Sequence, residues 1–295
     1  MKKNRGWIFI PHVGGHRYFN VAQSYARANA PTYNIKNPYT ECLNPADTYL
    51  HSRLESFRRN FFSDTPNPSW IERLCFERYI YCATFCQIHD IEGSFMMDSD
   101  FLLLSDPARL EAKIIASQFD FVASSFEDAK QFPKISSSYS PHLSWWKTQS
   151  LLDFVDYFIS FYELNYEVIK HSAENICDMT LLGSFVEAHQ PRAACWSQVC
   201  DITTGFIDHN INSPMLVRGE VNVMRWGFKR LRQEEGLFYT TSNDNRVFPV
   251  LGLHFQGAAK VVLRLIEYVG FGLYSLALGR IVISIKAWIK KVCSL

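Results

Sequence analysis

Two aspartates, Asp98 and Asp100, stand two residues apart between apolar runs, with Ser94-Phe95-Met96-Met97 before them and Phe101 to Leu104 after. On extended backbone, residues i and i+2 project to the same side. The pair would therefore share a face where a buried strand ends. Carboxylates in an apolar setting are costly unless they are paired or bound to a cation. Hard oxygen ligands of this kind suit Mg²⁺ or Mn²⁺, ions that can also hold two phosphate oxygens of a nucleotide. The competing role is structural: either aspartate could cap a turn after the strand.

These side chains need a scaffold, and the hydropathy pattern supplies one. Trp7 to Ile10 is a short apolar run ended by Pro11 and followed by Gly14-Gly15, which predicts a buried first strand and a loop. Residues 16–28 carry Phe19, Ala22, Tyr25 and Ala26 on one helical face, Asn29-Ala30-Pro31 closes them, and Thr32 to Ile35 is the next strand candidate. A β-loop-α-β opening of this sort begins a doubly wound sheet. Residues 36–70, broken by Pro38, Pro45, Pro66 and Pro68, are expected to form loops and short helices. From Trp70 to His89, apolar residues recur at spacings of three and four and predict a helix. The turn Glu92-Gly93 then leads into the strand that carries Asp98. Further helices are expected from Asp106-Pro107 and over 148–164 and 178–188, with a strand at Phe119 to Ala123.

The bulk composition narrows the function classes. A formal net charge of +1 excludes the basic excess of a general nucleic-acid binder. Eight cysteines form no Cys-x-x-Cys pair and no zinc-type cluster with histidine, and Cys82 and Cys86, four apart on a helix, are expected to pack as small apolar groups. The start of the chain lacks the apolar stretch of a secretory signal, so reduced thiols in the cytosol are expected.

Several blocks, taken in order, resemble the GT-A type of nucleotide-sugar-dependent glycosyltransferases, in the manner of bacterial polysaccharide and lipopolysaccharide enzymes. They are the helix with Phe76-Glu77-Arg78-Tyr79, the strand ending in Asp98-Ser99-Asp100, Ser144-Trp145-Trp146, Asn175 to Leu182, and Leu253-His254-Phe255-Gln256-Gly257. The similarity covers residues 7–262 and lies in the order and spacing of the blocks. It implies a Rossmann-like α/β domain with a mixed, mainly parallel sheet flanked by helices. It also implies a nucleotide-diphosphate sugar as donor, UDP favoured, and Mn²⁺ or Mg²⁺ as cofactor. Asp98, Asp100 and His254 would be the metal ligands, the alternative for His254 being a core histidine. Ser99, His12, Val13, Gly257 and Lys260 would line the donor site, although Lys260 equally fits the basic tail.

Arg78 would face the diphosphate or the donor sugar, unless it pairs with Glu77 or Glu72. Asp178 would act near the reacting sugar and acceptor, unless it only caps its helix. Trp145 and Trp146 could stack on an acceptor sugar or pack in the core. Asp208 and His209 could bind an acceptor hydroxyl or simply turn the chain. The acceptor is expected to be a glycan or a lipid-linked glycan. A Mg²⁺-dependent phosphohydrolase and a non-catalytic membrane-associated scaffold are the alternatives.

The last segment differs in character. Residues 258–295 hold six Lys or Arg against the single Glu267, a net +5, so the remaining residues carry −4. Ile281, Val282, Ile285, Trp288, Ile289 and Val292 share one helical face, Ile283 lies off it, and Arg280, Lys286, Lys290 and Lys291 lie mostly opposite. A basic amphipathic helix suits an anionic membrane surface, the alternatives being a helix packed on the catalytic domain or a dimer interface. The charge-free run Tyr268 to Gly279 is too short to span a bilayer. The expected organisation is a catalytic domain over 1–257 and a tail over 258–295, in a cytoplasmic protein peripheral at the inner face of a membrane.

Overall fold

The computed structural model describes residues 6–14, 17–41, 47–63, 65, 67–125, 139–171, 176–189, 192–200, 205–208, 210–211, 224–225, 227–235, 237–269, 276–277, 279 and 281–285. In chain order the elements begin with β1 (Gly6–Phe9), α1 (Arg17–Asn29), β2 (Tyr33–Lys36), α2 (Pro38–Glu41), α3 (Thr48–Asn60) and α4 (Ser69–Ile88). The middle of the chain forms β3 (Gly93–Met97), β4 (Phe101–Leu103), α5 (Ala108–Ala116), β5 (Phe121–Ser125), β6 (Tyr139–Lys147), α6 (Thr148–His171) and α7 (Asp178–His189). Then come β7 (Ala193–Cys195), α8 (Trp196–Val199), β8 (Phe206–Ile207), β9 (Met224–Arg225), β10 (Phe228–Lys229), β11 (Leu231–Glu234), β12 (Leu237–Thr241), β13 (Val247–His254) and α9 (Lys260–Val269).

These elements group into two compact units. The first comprises Met1–Val13, Asn34–Met97 and Ile115–Cys195. It is built on a six-stranded sheet of order β2-β1-β3-β6-β5-β7. β1 pairs with β3 in parallel, β5 pairs with β7 in parallel, and β6 runs antiparallel to both β3 and β5. Thus β1, β3, β5 and β7 share one direction, which is the mixed, mainly parallel sheet with flanking helices that the sequence predicts. Its core is aromatic: Phe57, Phe76, Tyr79, Phe154, Phe158 and Tyr162, from α3, α4 and α6, interlock largely edge to face. Cys82 and Cys86 are buried in the same cluster as free thiols. Glu77 is also buried on α4, and Arg58 satisfies it with two bonds of 2.6 and 2.8 Å.

The second unit comprises Gly14–Tyr33, Asp98–Ile114 and Trp196–Leu295. Here β11, β12, β13 and β4 form an antiparallel run, with β8 added in parallel to β13. Its core draws Val21 from α1, Leu102 from β4, Val250 and Leu253 from β13, and Val262, Leu263 and Ile266 from α9.

Three stretches depart from expectation, each for a physical reason. The prolines of 36–70 frame α3 rather than break it. Asp47 caps it by accepting from the Tyr49 and Leu50 N–H groups, and Leu50, Leu54 and Phe57 form its buried stripe. β6 is a central strand despite Pro141. Proline lacks a ladder donor, and here it sits where the β5–β6 register slips, beyond the last β3–β6 pair at Leu143. β13 contains Pro249 and Gly252, which conceal it as a strand in the hydropathy pattern, yet it runs for eight residues.

Candidate metal centre

Asp98 and Asp100 converge by a turn, not by strand alternation. β3 ends at Met97, and the Phe101 N–H bonds back to the Asp98 carbonyl at 3.0 Å. The chain then re-enters extended structure as β4. Beside β4 lies β13, in antiparallel register with Leu253 opposite Leu102 and His254 opposite Phe101. The next N–H along, that of Phe255, donates to the Asp100 carbonyl at 2.9 Å. A two-strand register thus brings a histidine more than 150 residues distant in sequence beside the aspartates.

One ligand atom from each of Asp98, Asp100 and His254 lies within 4.8 Å of the others. His254 Nε2 is 3.4 Å from Asp100 Oδ1, and Lys260 Nζ is 2.7 Å from Asp100 Oδ2. Asp100 and His254 are buried, whereas Asp98 is half-buried and the Lys260 side chain reaches solvent. Burial pushes the Asp100 carboxyl up, but His254 and Lys260 together outweigh it and hold the group below the usual carboxylate range. Two carboxylates and an imidazole at this spacing form a donor set that could hold a metal ion. Lys260, the first residue of α9, thus pairs directly with Asp100. Gly257, three residues before Lys260, has a left-handed backbone (φ +58°), with nothing within 4 Å of where a Cβ would be.

The β4–β13 register depends on Gly252. A Cβ there would lie 2.3 Å from Phe101 Cζ and 3.1 Å from the Leu102 carbonyl oxygen. Gly252→Ala is expected to cost about 1–3 kcal/mol through overpacking and to displace the residue after Asp100. A thermal melt would read the first effect and a Mn²⁺ titration the second.

In the first unit, α4 and α7 bring together Arg78 and Asp178. Arg78 Nη2 donates to Asp178 Oδ2 at 2.5 Å, and the Tyr79 hydroxyl donates to the same oxygen at 3.3 Å. The other oxygen accepts from the Met179 N–H at 2.9 Å. Neither Glu77, held by Arg58 and Arg73, nor Glu72, bonded to Asn67, is Arg78's partner in this pair. α7 begins at Asp178, and its entry is tied by Thr180 Oγ1, which bonds both the N–H and the carbonyl of Cys177. Asp178 thus contributes a negative charge to the first turn, which favours the helix, and also holds a buried ion pair.

His12 follows β1 and is braced by Asn37, whose side chain bonds both its N–H and its carbonyl; Val13 beside it is exposed. Ser99 is half-buried in the turn between the two aspartates. The tryptophans do not offer the faces an acceptor needs. Trp145 and Trp146 are 4% and 0% exposed, and Trp146 is packed by Phe121, Phe154 and Tyr79. The β6 pleat and its pairing on both edges draw the two rings inward. Asp208 is likewise out of an acceptor's reach, fully buried in an ion pair with Lys229. His209 lies outside the described residues, as do Arg280 and residues 286–295 of the tail.

Sequence inspection passed over Lys229, since a lone lysine before Arg230 looks like any solvated base. It also passed over His142, fully buried in β6 between Ser124 and Ser140. Only the burial of these residues marks them.

No protein-family model and no curated protein matches the chain. Among solved structures it is similar to that described as A197 from STIV, at 12% identity over 83% of this chain and 94% of that one, with a TM-score of 0.32. It is also similar to the apo form of mouse xyloside xylosyltransferase 1, at 9% identity over 68% of this chain and 86% of that one, with a TM-score of 0.40. Likenesses this distant leave the function to be read from the site itself.

Proposed function

We propose that this chain is a metal-dependent glycosyltransferase that moves a sugar from a nucleotide-diphosphate sugar, UDP favoured, to a hydroxyl of a glycan or lipid-linked glycan. The observation that carries the reading is the meeting of Asp98, Asp100 and His254, with Lys260 alongside. A divalent ion bound there supplies Lewis-acid stabilisation of the leaving diphosphate. Asp98, Asp100 and His254 would hold it, and Lys260, whose side chain reaches solvent, would add a positive charge for diphosphate oxygens. The open left-handed turn at Gly257 lets the backbone approach them. The family resemblance adds His12, Val13 and Ser99 as proposed donor-site residues. Arg78 and Asp178 are assigned to the donor sugar and the attacking hydroxyl, with Arg78 orienting the carboxylate.

The test is a panel of nucleotide sugars, scored for binding and slow hydrolysis with and without Mn²⁺. At least one is expected to bind and turn over only with the metal. Binding by none would reject the proposal, and release of phosphate from simple esters would assign the same aspartates to a phosphohydrolase.

For the tail we propose contact with an anionic membrane surface, in a cytoplasmic protein. Among the described residues no helix is long and apolar enough to cross a membrane. Ile281 and Ile285, four apart on the expected apolar face, are 55% and 51% exposed, whereas Ile283 packs against the core of the second unit. Leu263, Ile266 and Leu276 are core residues, so the informative truncation is after Ile285. It removes Trp288, Lys290 and Lys291 and is expected to release the protein from vesicles rich in anionic lipid in a flotation assay. Unchanged flotation would count against the contact.

A further inference from the structure

β13, the strand that carries His254, is held on both sides. Opposite β4 it is flanked by the segment 206–211, which pairs through β8 at Phe206 and Ile207. Beyond β8, two backbone bonds continue the contact. The Asp208 N–H donates to the Gly252 carbonyl and the Ile211 N–H to the His254 carbonyl, both at 3.0 Å. The second of these grips the residue that bears the imidazole.

One lysine contacts Asp208, Asn210 and Ile211. The Lys229 ammonium binds the Asp208 carboxylate and also donates to the Asn210 carbonyl at 2.7 Å. Its backbone N–H donates to the Ile211 carbonyl at 2.9 Å. Both charged side chains are 0% exposed, and Asp208 Oδ2 has no hydrogen-bond partner among the described residues. Such a pair adds little to stability, because desolvation of two charges offsets their attraction and apolar replacements often serve as well. Its effect is on geometry: it fixes the loop that fixes the metal ligand.

We infer that Asp208 and Lys229 are positioning residues for His254, setting the imidazole against Asp98 and Asp100 through the Ile211–His254 bond. The inference rests on the metal reading given above. Outer-shell partners of metal ligands typically control affinity by about 10–100-fold.

The experiment is Mn²⁺ titration calorimetry on the full chain, comparing the parent with Asp208→Asn/Lys229→Met. Removing both charges avoids stranding one of them in the core. The double variant is expected to melt cooperatively and to bind Mn²⁺ about 10–100-fold more weakly. A folded double variant with the parent's affinity overturns the inference. A measurement on the parent needs no substitution: hydrogen exchange at the Ile211 amide is expected to slow when Mn²⁺ binds, because a bound ligand and the clamp behind it stabilise each other. Exchange that ignores Mn²⁺ overturns the inference equally. A parent that binds no Mn²⁺ removes the metal reading itself, an outcome distinct from a clamp that fails on a working site.

Discussion

Asp100→Asn is expected to lower metal-dependent nucleotide-sugar turnover by about 10³-fold, since Lewis-acid assistance is worth several kcal/mol and each 1.36 kcal/mol is about tenfold. The same change is also expected to lower the metal-free melting temperature, because His254 and Lys260 favour the charged carboxylate and asparagine offers them no charge. Metal-dependent stability separates the variants best. A ligand at about 100 times its Kd stabilises the folded state by about 2.7 kcal/mol, so Mn²⁺ should raise the parent's melting temperature and leave that of Asp100→Asn unmoved. An equal rise in both proteins would mean that the ion binds elsewhere.

The second large effect concerns Arg78 and Asp178. Removing one partner of a buried ion pair typically costs about 3–5 kcal/mol, and both side chains are about nine-tenths buried. For Arg78→Met the loss should lie near the lower end, about 3 kcal/mol, because the Asp178 carboxylate keeps its bonds from Tyr79 and Met179. The double variant Arg78→Met/Asp178→Leu should recover most of that stability in urea unfolding, since no charge remains buried. Turnover should not recover with it. A double variant that is both stable and active would show that the pair only ties α4 to α7.

The pair of effects also separates what kinds of residue could be read in advance. Arg78 and Asp178 were each visible as candidates, but their partnership was not, because nothing in a string of residues says that positions 78 and 178 touch. The local alternatives, Glu77 and Glu72, were the reasonable guesses from spacing along a helix. Tertiary packing gave those carboxylates to Arg58, Arg73 and Asn67 instead. Trp145 and Trp146 show the converse. Their chemistry suited a sugar face, but a strand paired on both edges turned them into core.

Asp98-Ser99-Asp100 was legible because apolar runs on both sides make two carboxylates conspicuous, and local hydropathy alone carries that signal. The long helix α4, the opening β-α-β and the mainly parallel character of the first sheet were legible for the same reason: periodicity is a property of neighbours in sequence. The strands β6 and β13 were not, because their prolines and glycine contradict strand propensity. Pro141 sits where the β5–β6 register slips, and Gly252 leaves the Phe101 ring the space a Cβ would fill. The candidate metal centre falls between these cases. Residue types singled out its three residues, but its geometry came from a turn closed by Phe101 and a β4–β13 register that Gly252 permits. Asp208 was conspicuous in the sequence, but its pairing with Lys229 was not, since a buried charge becomes informative only once burial is known. Local chemistry therefore named the ligands, and long-range pairing decided that they meet.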